Sequence, residues 1–327
     1  MLAQASKLAL RSPLLIRSFA ASTMSAQSGI IPEGDTSAYF GTYKVNYSYL
    51  ATEQGRKTFV DAAKGFNDLL AQKTKDHQIP VTGCISFSLR LWQTLTKDIP
   101  ALKGTAPELK DFPGYGKAPS TQEDLYIHIH SKKTDATLEA AKDAVDSFGP
   151  LRSLIICSDE QNGFVYRDSR DLIGFVDGSA NPHGDEKRIA AALGEDGSSY
   201  VHVQRFIHNL SKWNTVEVPE QEQIVGRTKP DSKELKPSPF RSHVQRTDLK
   251  ENGKGLKIVR QSLPYLNAGR ERGLWFTAYC RTIYNHEAIQ KSLYGLADGH
   301  TDRLMDYITP VTGGYYYAPS LDQLAKL

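Results

Sequence analysis

The chain has 327 residues, of which 39% are hydrophobic and 24% charged, a composition that provides apolar material for two domains and disfavours extensive disorder. Its formal net charge of +3 comes entirely from the first 32 residues, and the neutral remainder has no general attraction for nucleic acid. No apolar run approaches the roughly 20 residues of a membrane span, and the three cysteines, which include no close pair, disfavour a disulfide framework or a zinc site.

The segment 1–32 is rich in Ser and Ala, contains three basic and no acidic residues, and is weakly amphipathic. This composition is typical of an organellar transit peptide, and Arg17-Ser18-Phe19-Ala20 resembles the arginine-led cleavage context of mitochondrial presequences. We therefore expect localisation in the mitochondrial matrix, with another organelle or the cytoplasm as the alternative. A disordered tail without a targeting role is the competing interpretation. A secretory signal is disfavoured because Arg11, Pro13 and Arg17 interrupt the apolar core that it requires.

Strand and helix patterns alternate through the next part of the chain. Their predicted order is strand, helix, strand, strand, helix, strand, with the bounds 39–47, 52–73, 81–91, 125–130, 134–148 and 151–157. This order is that of a ferredoxin-like unit. A loop rich in Pro and Gly, 100–120, interrupts it.

A comparable order recurs in the second half of the chain. It comprises a strand, a short helix, two strands and a helix, with the bounds 200–207, 219–225, 256–263, 274–281 and 286–294. Two ferredoxin-like α+β units with antiparallel sheets fit the chain better than one doubly wound sheet. We assign 35–150 to an N-terminal domain and 151–325 to a C-terminal domain. The long insertion 209–246 in the second unit predicts that the chemistry lies there, because long loops inside compact domains are commonly functional.

Most of the nine histidines have structural explanations. Two lie on one face of a predicted strand without an acidic or cysteine partner for a metal, and four lie in loop-like or terminal contexts, where solvated side chains are the default. The strand pair is His128 and His130, and the other four are His77, His183, His208 and His300.

Asp177 occupies an unusual position. The apolar run Leu172 to Val176 leads directly to this acid, and a glycine and then Asn181-Pro182 follow it. The spacing alone is typical of an Asp-Gly turn. The alternative is a carboxylate in apolar surroundings, where its pKa can be raised and it can exchange protons.

Five short segments between residues 174 and 320 carry a family resemblance. They are GFVDG (174–178), SHVQR (242–246), KIVRQSLPY (257–265), GLWFTAY (273–279) and PVTGGYYYAPS (310–320). Together and in this order they resemble the dye-decolorising haem peroxidases, and the similarity extends over roughly residues 35 to 325. The resemblance implies one haem b per chain, bound in the C-terminal domain.

The resemblance also assigns roles to three residues. His243 is the expected iron ligand, and its second nitrogen should donate to an acid or a carbonyl that the sequence does not identify. Asp177 is expected to move a proton between the two oxygens of peroxide. Arg260 stays protonated and is therefore expected to attract peroxide and to stabilise negative charge as the O–O bond breaks.

Further residues complete the predicted cofactor site. Ser262 shares a strand face with Arg260 and is expected near a haem propionate or a distal water. Phe276 lines the distal pocket in the resemblance, although a core aromatic explains it equally simply. Arg246 is expected to pair with a haem carboxylate, or alternatively to form a surface salt bridge. Asn181 is included among the cofactor-binding residues because it extends the first motif.

An electron relay to bulky donors is a separate possibility. The candidate residues are Trp213, Trp275, Tyr315, Tyr316 and Tyr317. The alternative is that these aromatic side chains only pack in the core.

The resulting prediction is a haem peroxidase that reduces hydrogen peroxide and oxidises dye-like or phenolic donors through a ferryl intermediate. Its expected partners are peroxide and an organic electron donor, and we expect a homo-oligomer. One alternative is a haem-handling protein with incidental peroxidase activity, which would need His243 but neither Asp177 nor Arg260. A second alternative, a ferredoxin-like binding domain without haem, leaves the ordered motifs unexplained.

Overall fold

The computed structural model describes residues 25–150 and 153–327. Within these residues no helix combines the length and apolar character that crossing a membrane requires. The strands are β1 Ser37–Val45, β2 Val81–Phe87, β3 Leu125–Ser131, β4 Ile155–Phe164, β5 Ser199–His208, β6 Lys250–Glu251, β7 Lys254–Gly255, β8 Val259–Arg260, β9 Leu263–Leu266, β10 Arg272–Cys280, β11 Ile308–Pro310 and β12 Gly314–Ala318. The α-helices are α1 Tyr47–Leu50, α2 Glu53–His77, α3 Leu89–Thr96, α4 Thr134–Asp146, α5 Asp185–Ala192, α6 Leu210–Trp213, α7 Val218–Val225, α8 His243–Thr247, α9 Ile283–Leu293 and α10 Leu321–Leu324. Two 3₁₀ turns cover Pro100–Leu102 and Arg303–Asp306.

Ten strands form one antiparallel sheet with the order β4-β1-β3-β2-β12-β5-β10-β8, in which β9 pairs with β10 and β11 with β5. Each half of this sheet has the strand order of a ferredoxin-like unit. In the first half it is β4-β1-β3-β2, and in the second β12-β5-β10-β8 repeats the same order. The halves join where Tyr317 of β12 pairs with Phe87 of β2. The predicted α+β fold with two ferredoxin-like units is confirmed.

Strand β4 belongs to the first half of the sheet because it pairs with β1 along its length. The first unit therefore reaches Phe164, beyond the boundary at residue 150 that the sequence suggested. Strand β4 also begins at Ile155 rather than at residue 151.

Helix α2 illustrates how the local sequence builds the first unit. Its apolar residues recur every three or four positions, and Phe59, Phe66 and Leu70 are buried. The helix begins after Thr52, whose Oγ1 accepts a hydrogen bond from the Gly55 N–H (3.0 Å). It ends at Gln78, which adopts the left-handed conformation typical of helix C-termini.

Two other predicted strands are shorter than expected. The strand predicted for 81–91 ends at Phe87 because Ser88 caps helix α3, its Oγ accepting from the Leu91 N–H (3.2 Å). The strand predicted for 256–263 is only Val259–Arg260. Beyond it the Ser262 Oγ accepts from the Thr277 N–H (3.2 Å), so a side chain replaces a backbone acceptor and the regular ladder is interrupted.

The described part of the predicted N-terminal tail, residues 25–32, packs into the fold. Ile30 is fully buried, and the buried Gln27 side chain links β2 to the segment that follows β12. Its Nε2 donates to the carbonyls of Ile85 and Pro319 (both 2.9 Å), and its Oε1 accepts from the Ile85 N–H (2.9 Å). Lys7, Arg11 and Arg17, on which the targeting prediction depends, lie outside the described residues.

The two faces of the second half of the sheet have different roles. Alternate residues of β5 and β10, such as Gln204 and Phe276, point to a cavity. The intervening residues, such as Trp275 and Tyr279, are buried in a second apolar cluster on the opposite face. The alternation of β-strand side chains thus separates the cavity from this cluster.

Candidate active site

A cavity of about 390 Å³ lies against the second half of the sheet, within the size range of small-molecule and cofactor sites. Its walls come from the loop after β4, from β5, β8 and β10, and from helices α8 and α9. Large apolar side chains dominate them: Ile173, Phe175, Phe206, Ile258, Leu274, Phe276, Ile289, Leu293, Leu304, Met305 and Ile308. Such a cavity suits a large apolar ligand that has a few polar attachment points.

Five of the predicted site residues line this one cavity. They are Asp177, His243, Arg260, Ser262 and Phe276. They come from a loop, a short helix, two strands and the link between β8 and β9, so the fold brings together predicted residues that are distant in sequence. Arg246 and Asn181 are not among the lining residues.

His243 is the first residue of α8, because Ser242 caps this helix with its Oγ accepting from the Gln245 N–H (3.3 Å). Its Nδ1 lies 2.7 Å from Asp302 Oδ2. The Asp302 side chain is fully buried, and its Oδ1 accepts from the Leu304 N–H (2.8 Å). A carboxylate at this distance holds the proton on Nδ1 and leaves Nε2 as the nitrogen for a metal.

Asp302 is thus the acid that sequence reasoning could not name. It lies 59 residues from His243, in a polar loop, and no local pattern marks it. The only local signal is its position before the 3₁₀ turn Arg303–Asp306, where an aspartate is an ordinary cap.

Asp177 is half-buried at the end of a constrained loop. Its N–H donates to the Ser169 carbonyl (2.9 Å), and its Oδ1 accepts from the N–H of Gly178 (2.7 Å). Gly178 has φ +80°, a conformation that favours glycine and lets the chain turn directly after the acid. Arg170 anchors the start of this loop by donating to the carbonyl of Gly174 (2.8 Å). The loop therefore presents the carboxylate from a fixed backbone.

Asn181 holds Arg260 in place through the backbone. Its Nδ2 donates to the Arg260 carbonyl and its Oδ1 accepts from the Arg260 N–H, both at 2.9 Å. Arg260 also pairs with Ala278 across β8 and β10. In this structure Asn181 therefore positions Arg260 and connects the Asp177 loop to β8. It is not among the cavity-lining residues, and its predicted contact with the cofactor stays a prediction.

The guanidinium of Arg246 does not line the cavity, and four hydrogen bonds hold it elsewhere. It pairs with both carboxylate oxygens of Asp298 (2.7 and 2.8 Å) and donates twice to the Ser292 carbonyl (2.9 and 2.6 Å). The structure thus shows the ion pair that the sequence left as the alternative to a haem carboxylate contact. These bonds link α8 to the end of α9.

Several buried polar atoms of the cavity wall have no hydrogen-bond partner among the described residues. Such atoms are rare in folded proteins and call for a ligand or ordered water. They are Asp171 Oδ2, His202 Nε2, Gln204 Nε2 and Oε1, His208 Nδ1, His286 Nδ1 and Gln290 Oε1.

The buried histidines of this wall were not identified from the sequence. Burial holds the pKa of His202 well below its usual range and lowers that of His286 to about 4, so both stay neutral near pH 7. The prediction that His208 is a solvated loop residue was wrong, because it is buried at the end of β5 and lies 3.4 Å from Asp171. Alternation along β5 was the signal that would have found His202 and His208.

The five relay candidates, Trp213, Trp275 and Tyr315–Tyr317, are all buried, and none lines the cavity. Trp213 donates from Nε1 to the Ile173 carbonyl (2.8 Å), which supports the cavity loop. Packing accounts for these positions, and the relay stays a prediction.

Comparisons of this chain with family models, curated proteins and solved structures all indicate the same family. Residues 27–165 match the N-terminal domain of the Dyp-type peroxidases and residues 168–323 match the C-terminal domain. A dye-decolorizing peroxidase of Mycobacterium tuberculosis is 38% identical over 217 residues, which are 63% of this chain and 64% of that protein. One from Brevibacterium linens is 32% identical over 76% of this chain and 69% of its own length. The chain thus spans somewhat less than two thirds of the first of these relatives.

Solved structures agree with this. A dye-decolorizing protein from Vibrio cholerae has a TM-score of 0.82 and 39% identity, covering 91% of this chain and 98% of its own. A variant of DypB from Rhodococcus jostii RHA1, in complex with heme, has a TM-score of 0.82 and 28% identity, and the match covers 90% of this chain and 97% of that one.

The expected mitochondrial presequence and matrix localisation are wrong. The relatives named above are bacterial proteins, so they give no support to import into an organelle. In addition, residues 25–32 of the supposed presequence pack into the fold, and the family similarity already begins at residue 27. A basic, Ser- and Ala-rich composition is weak evidence for targeting because a terminal extension without a targeting role can have the same composition. With both domain matches in order along its length, the chain belongs to the Dyp-type peroxidase family.

Proposed function

We propose that the protein is a haem-dependent peroxidase that reduces hydrogen peroxide and oxidises dye-like or phenolic organic donors. One observation carries this proposal: a single cavity is lined by an imidazole held by a buried carboxylate, by a second carboxylate and by a guanidinium, namely His243, Asp177 and Arg260. We place one haem b per chain in the C-terminal unit, which contains all three residues.

The residues of the cavity fit a haem. Its walls are apolar, and a neutral imidazole with Nδ1 engaged is the usual protein ligand of haem iron in peroxidases. Arg260 also lines the cavity and can pair with a carboxylate of the group. When bound, haem supplies the redox chemistry, taking two oxidising equivalents from peroxide and passing them singly to donors.

Asp302 tunes the ligand. Its carboxylate accepts a hydrogen bond from the Nδ1–H of His243, which makes the imidazole more electron-donating and fixes the orientation of the ring. Because Asp302 is fully buried and also caps Leu304, it has little freedom to move away.

Asp177 and Arg260 divide the work on peroxide. Asp177 accepts a proton from the oxygen that binds and returns it to the oxygen that leaves as water. Arg260 keeps its charge, attracts the peroxide and stabilises the negative charge on the leaving oxygen. Asn181 acts through Arg260, because it holds the backbone of that residue from both sides.

A haem-handling protein is the less favoured alternative. Holding a porphyrin requires the His243–Asp302 pair and the apolar walls but neither a carboxylate that exchanges protons nor a fixed cation. The presence of Asp177 and Arg260 in the same cavity therefore favours turnover of peroxide.

We also propose that the protein assembles as a homo-oligomer. A related structure is described as the encapsulated DyP-type peroxidase from Mycobacterium smegmatis, with a TM-score of 0.80 and 30% identity. The molar mass of the purified protein in solution, from light scattering, tests this point, and a monomer at micromolar concentration would refute it.

The function is tested by absorption spectroscopy and turnover. Purified protein loaded with haem should show a Soret band that changes on adding one equivalent of peroxide and returns when a phenolic or dye donor is added. Asp177→Asn and Arg260→Leu should keep the ferric Soret band and lose most of the peroxide reaction. A Soret band that peroxide leaves unchanged in the parent protein would favour the haem-handling alternative.

A further inference from the structure

Asp171 and His208 form a buried acid–imidazole pair in the cavity wall. Asp171 belongs to the loop that leads to Asp177, and His208 is the last residue of β5. The side chains are 11% and 3% exposed, and Asp171 Oδ1 lies 3.4 Å from His208 Nδ1. Both residues line the cavity. The proposed peroxide chemistry assigns no role to either.

The two oxygens of Asp171 have different surroundings. Oδ1 accepts from the Ile173 N–H (2.9 Å) and so closes the turn that follows it. Oδ2 is buried and has no hydrogen-bond partner among the described residues. An unpaired carboxylate oxygen in such a place is costly unless it holds a proton or meets a ligand or water.

The electrostatic surroundings favour a proton on this pair. Burial raises the pKa of Asp171, and the negative charge of Asp177 raises it further, while His208 lowers it. Lys229 packs on Phe175 in the same loop, but its ammonium group donates to Gln221 Oε1 (2.5 Å) rather than to Asp171. Burial and Asp177 therefore favour a proton on Asp171, whose Oδ1 lies close to His208 Nδ1 without forming a hydrogen bond to it.

The chemistry of the proposed reaction requires such a proton. Reduction of one hydrogen peroxide to two waters breaks the O–O bond and consumes two electrons and two protons. Asp177, acting as a shuttle, returns the proton that it takes and therefore supplies no net proton. The two protons must therefore enter the cavity while the donors deliver their electrons.

Other titratable groups of the cavity are poorly placed to supply them. His202 and His286 are held neutral by burial. Glu234 forms an ion pair with Arg227 (3.6 Å), and Asp248 forms one with Lys257 (2.9 Å).

We propose that Asp171 and His208 store a proton and deliver it to the cavity during the donor half of the cycle. With each of the two donor electrons, Asp171 Oδ2 releases one proton to the peroxide-derived oxygen that becomes the second water. After each release the pair is reloaded from solvent or from the proton that a phenolic donor loses on oxidation. The inference rests on the proposed peroxidase function. Asp171 and His208 are thereby positioning and proton-supplying residues, distinct from Asp177.

Isosteric variants separate this role from a structural one. Asp171→Asn keeps the Oδ1 acceptor for Ile173 but cannot hold a transferable proton, whereas Asp171→Ala loses both. His208→Asn removes the imidazole at the other end of the pair. The matched control is Asp35→Asn, which breaks another buried acid–imidazole pair, with His130 at 2.5 Å, that does not line the cavity.

Two measurements on the haem-loaded protein test the proposal. Stopped-flow absorption follows the peroxide step and the donor step separately. We expect Asp171→Asn and His208→Asn to slow the donor step by about 100-fold, the lower end of what acid–base groups contribute, and to leave the peroxide step unchanged. Proton uptake on reduction of the ferric protein, measured with a pH indicator in weak buffer, should fall in both variants and not in Asp35→Asn.

Several results would overturn the inference. Parent-like donor rates and proton uptake in Asp171→Asn, with a loss of stability only in Asp171→Ala, would reduce Asp171 to a turn-forming residue. An equal slowing of the peroxide step in Asp171→Asn and Asp177→Asn would place Asp171 in the peroxide step instead. Proton uptake needs no peroxide, so a parent protein inert to peroxide would refute the proposed function while the uptake data still tested the pair.

Discussion

Replacing Asp302 with Asn tests how the cavity holds its metal ligand. The parent carboxylate uses one oxygen for His243 Nδ1 (2.7 Å) and the other for the Leu304 N–H (2.8 Å). An amide has only one oxygen, so it must present its NH₂ group to one of the two donors. Either the imidazole loses its acceptor, or the 3₁₀ turn loses its cap.

The size of the effect follows from these contacts. Asp302 is fully buried and the His243 side chain is 30% exposed, so solvent screens their bond only in part. Loss of such a partner behind a metal-ligating histidine typically lowers metal affinity by about 10- to 100-fold, or about 1.4 to 2.7 kcal/mol. We expect the Kd for haem to rise by this factor. The iron–imidazole stretching frequency should fall in the ferrous protein because the ligand becomes a weaker donor.

Haem transfer to an excess of apomyoglobin measures relative affinity, and resonance Raman spectroscopy measures the iron–imidazole bond. Asp298→Asn is the matched control, since Asp298 is a partly exposed acid that pairs with Arg246 and does not contact His243. Unchanged haem affinity together with an unchanged stretching frequency in Asp302→Asn would refute the reasoning on the proximal pair.

Four other outcomes are expected. His243→Ala should lower haem occupancy, measured by the Soret-to-protein absorbance ratio, and full occupancy with the parent ferric spectrum would make the ligand assignment wrong. Asp177→Asn should slow the peroxide step by about 100- to 10,000-fold, with partial recovery at alkaline pH, where peroxide anion is available. Arg260→Leu should slow the same step by about 100- to 1,000-fold without that recovery. Stopped-flow rates across pH distinguish the two variants, and parent-like rates in both would remove the two residues from the mechanism. Asn181→Ala should slow the peroxide step less than Arg260→Leu while haem is retained, because it loosens only the backbone of Arg260, and a parent-like rate would contradict that positioning role. Burial lowers the pKa of His286 from 6.5 to about 4, so its contribution to stability is complete above pH 6.5 and falls by about 3 kcal/mol as the pH drops to about 4. In His286→Gln the free energy of unfolding in urea should therefore decrease less between pH 6.5 and 4. A pH profile identical to that of the parent would contradict the assigned cause.

The sequence by itself determined the architecture and the identity of the main chemical groups. Two passes of the same strand and helix order predicted two ferredoxin-like units, because side-chain periodicity reports local geometry within a few residues. The ordered motifs pointed to Asp177, His243, Arg260, Ser262 and Phe276, which the fold brings to one cavity. These features are readable because each is a short, contiguous pattern.

Only the tertiary structure decided how these groups are partnered. Asp302 lies 59 residues from His243, and Asp171 meets His208 at the far end of β5, so no local pattern links either pair. The same applies to Arg246, whose charge is taken by Asp298 rather than by the cavity. Partner choice depends on burial and on distances between segments that are remote along the chain, and the packed sheet and helices alone determine these.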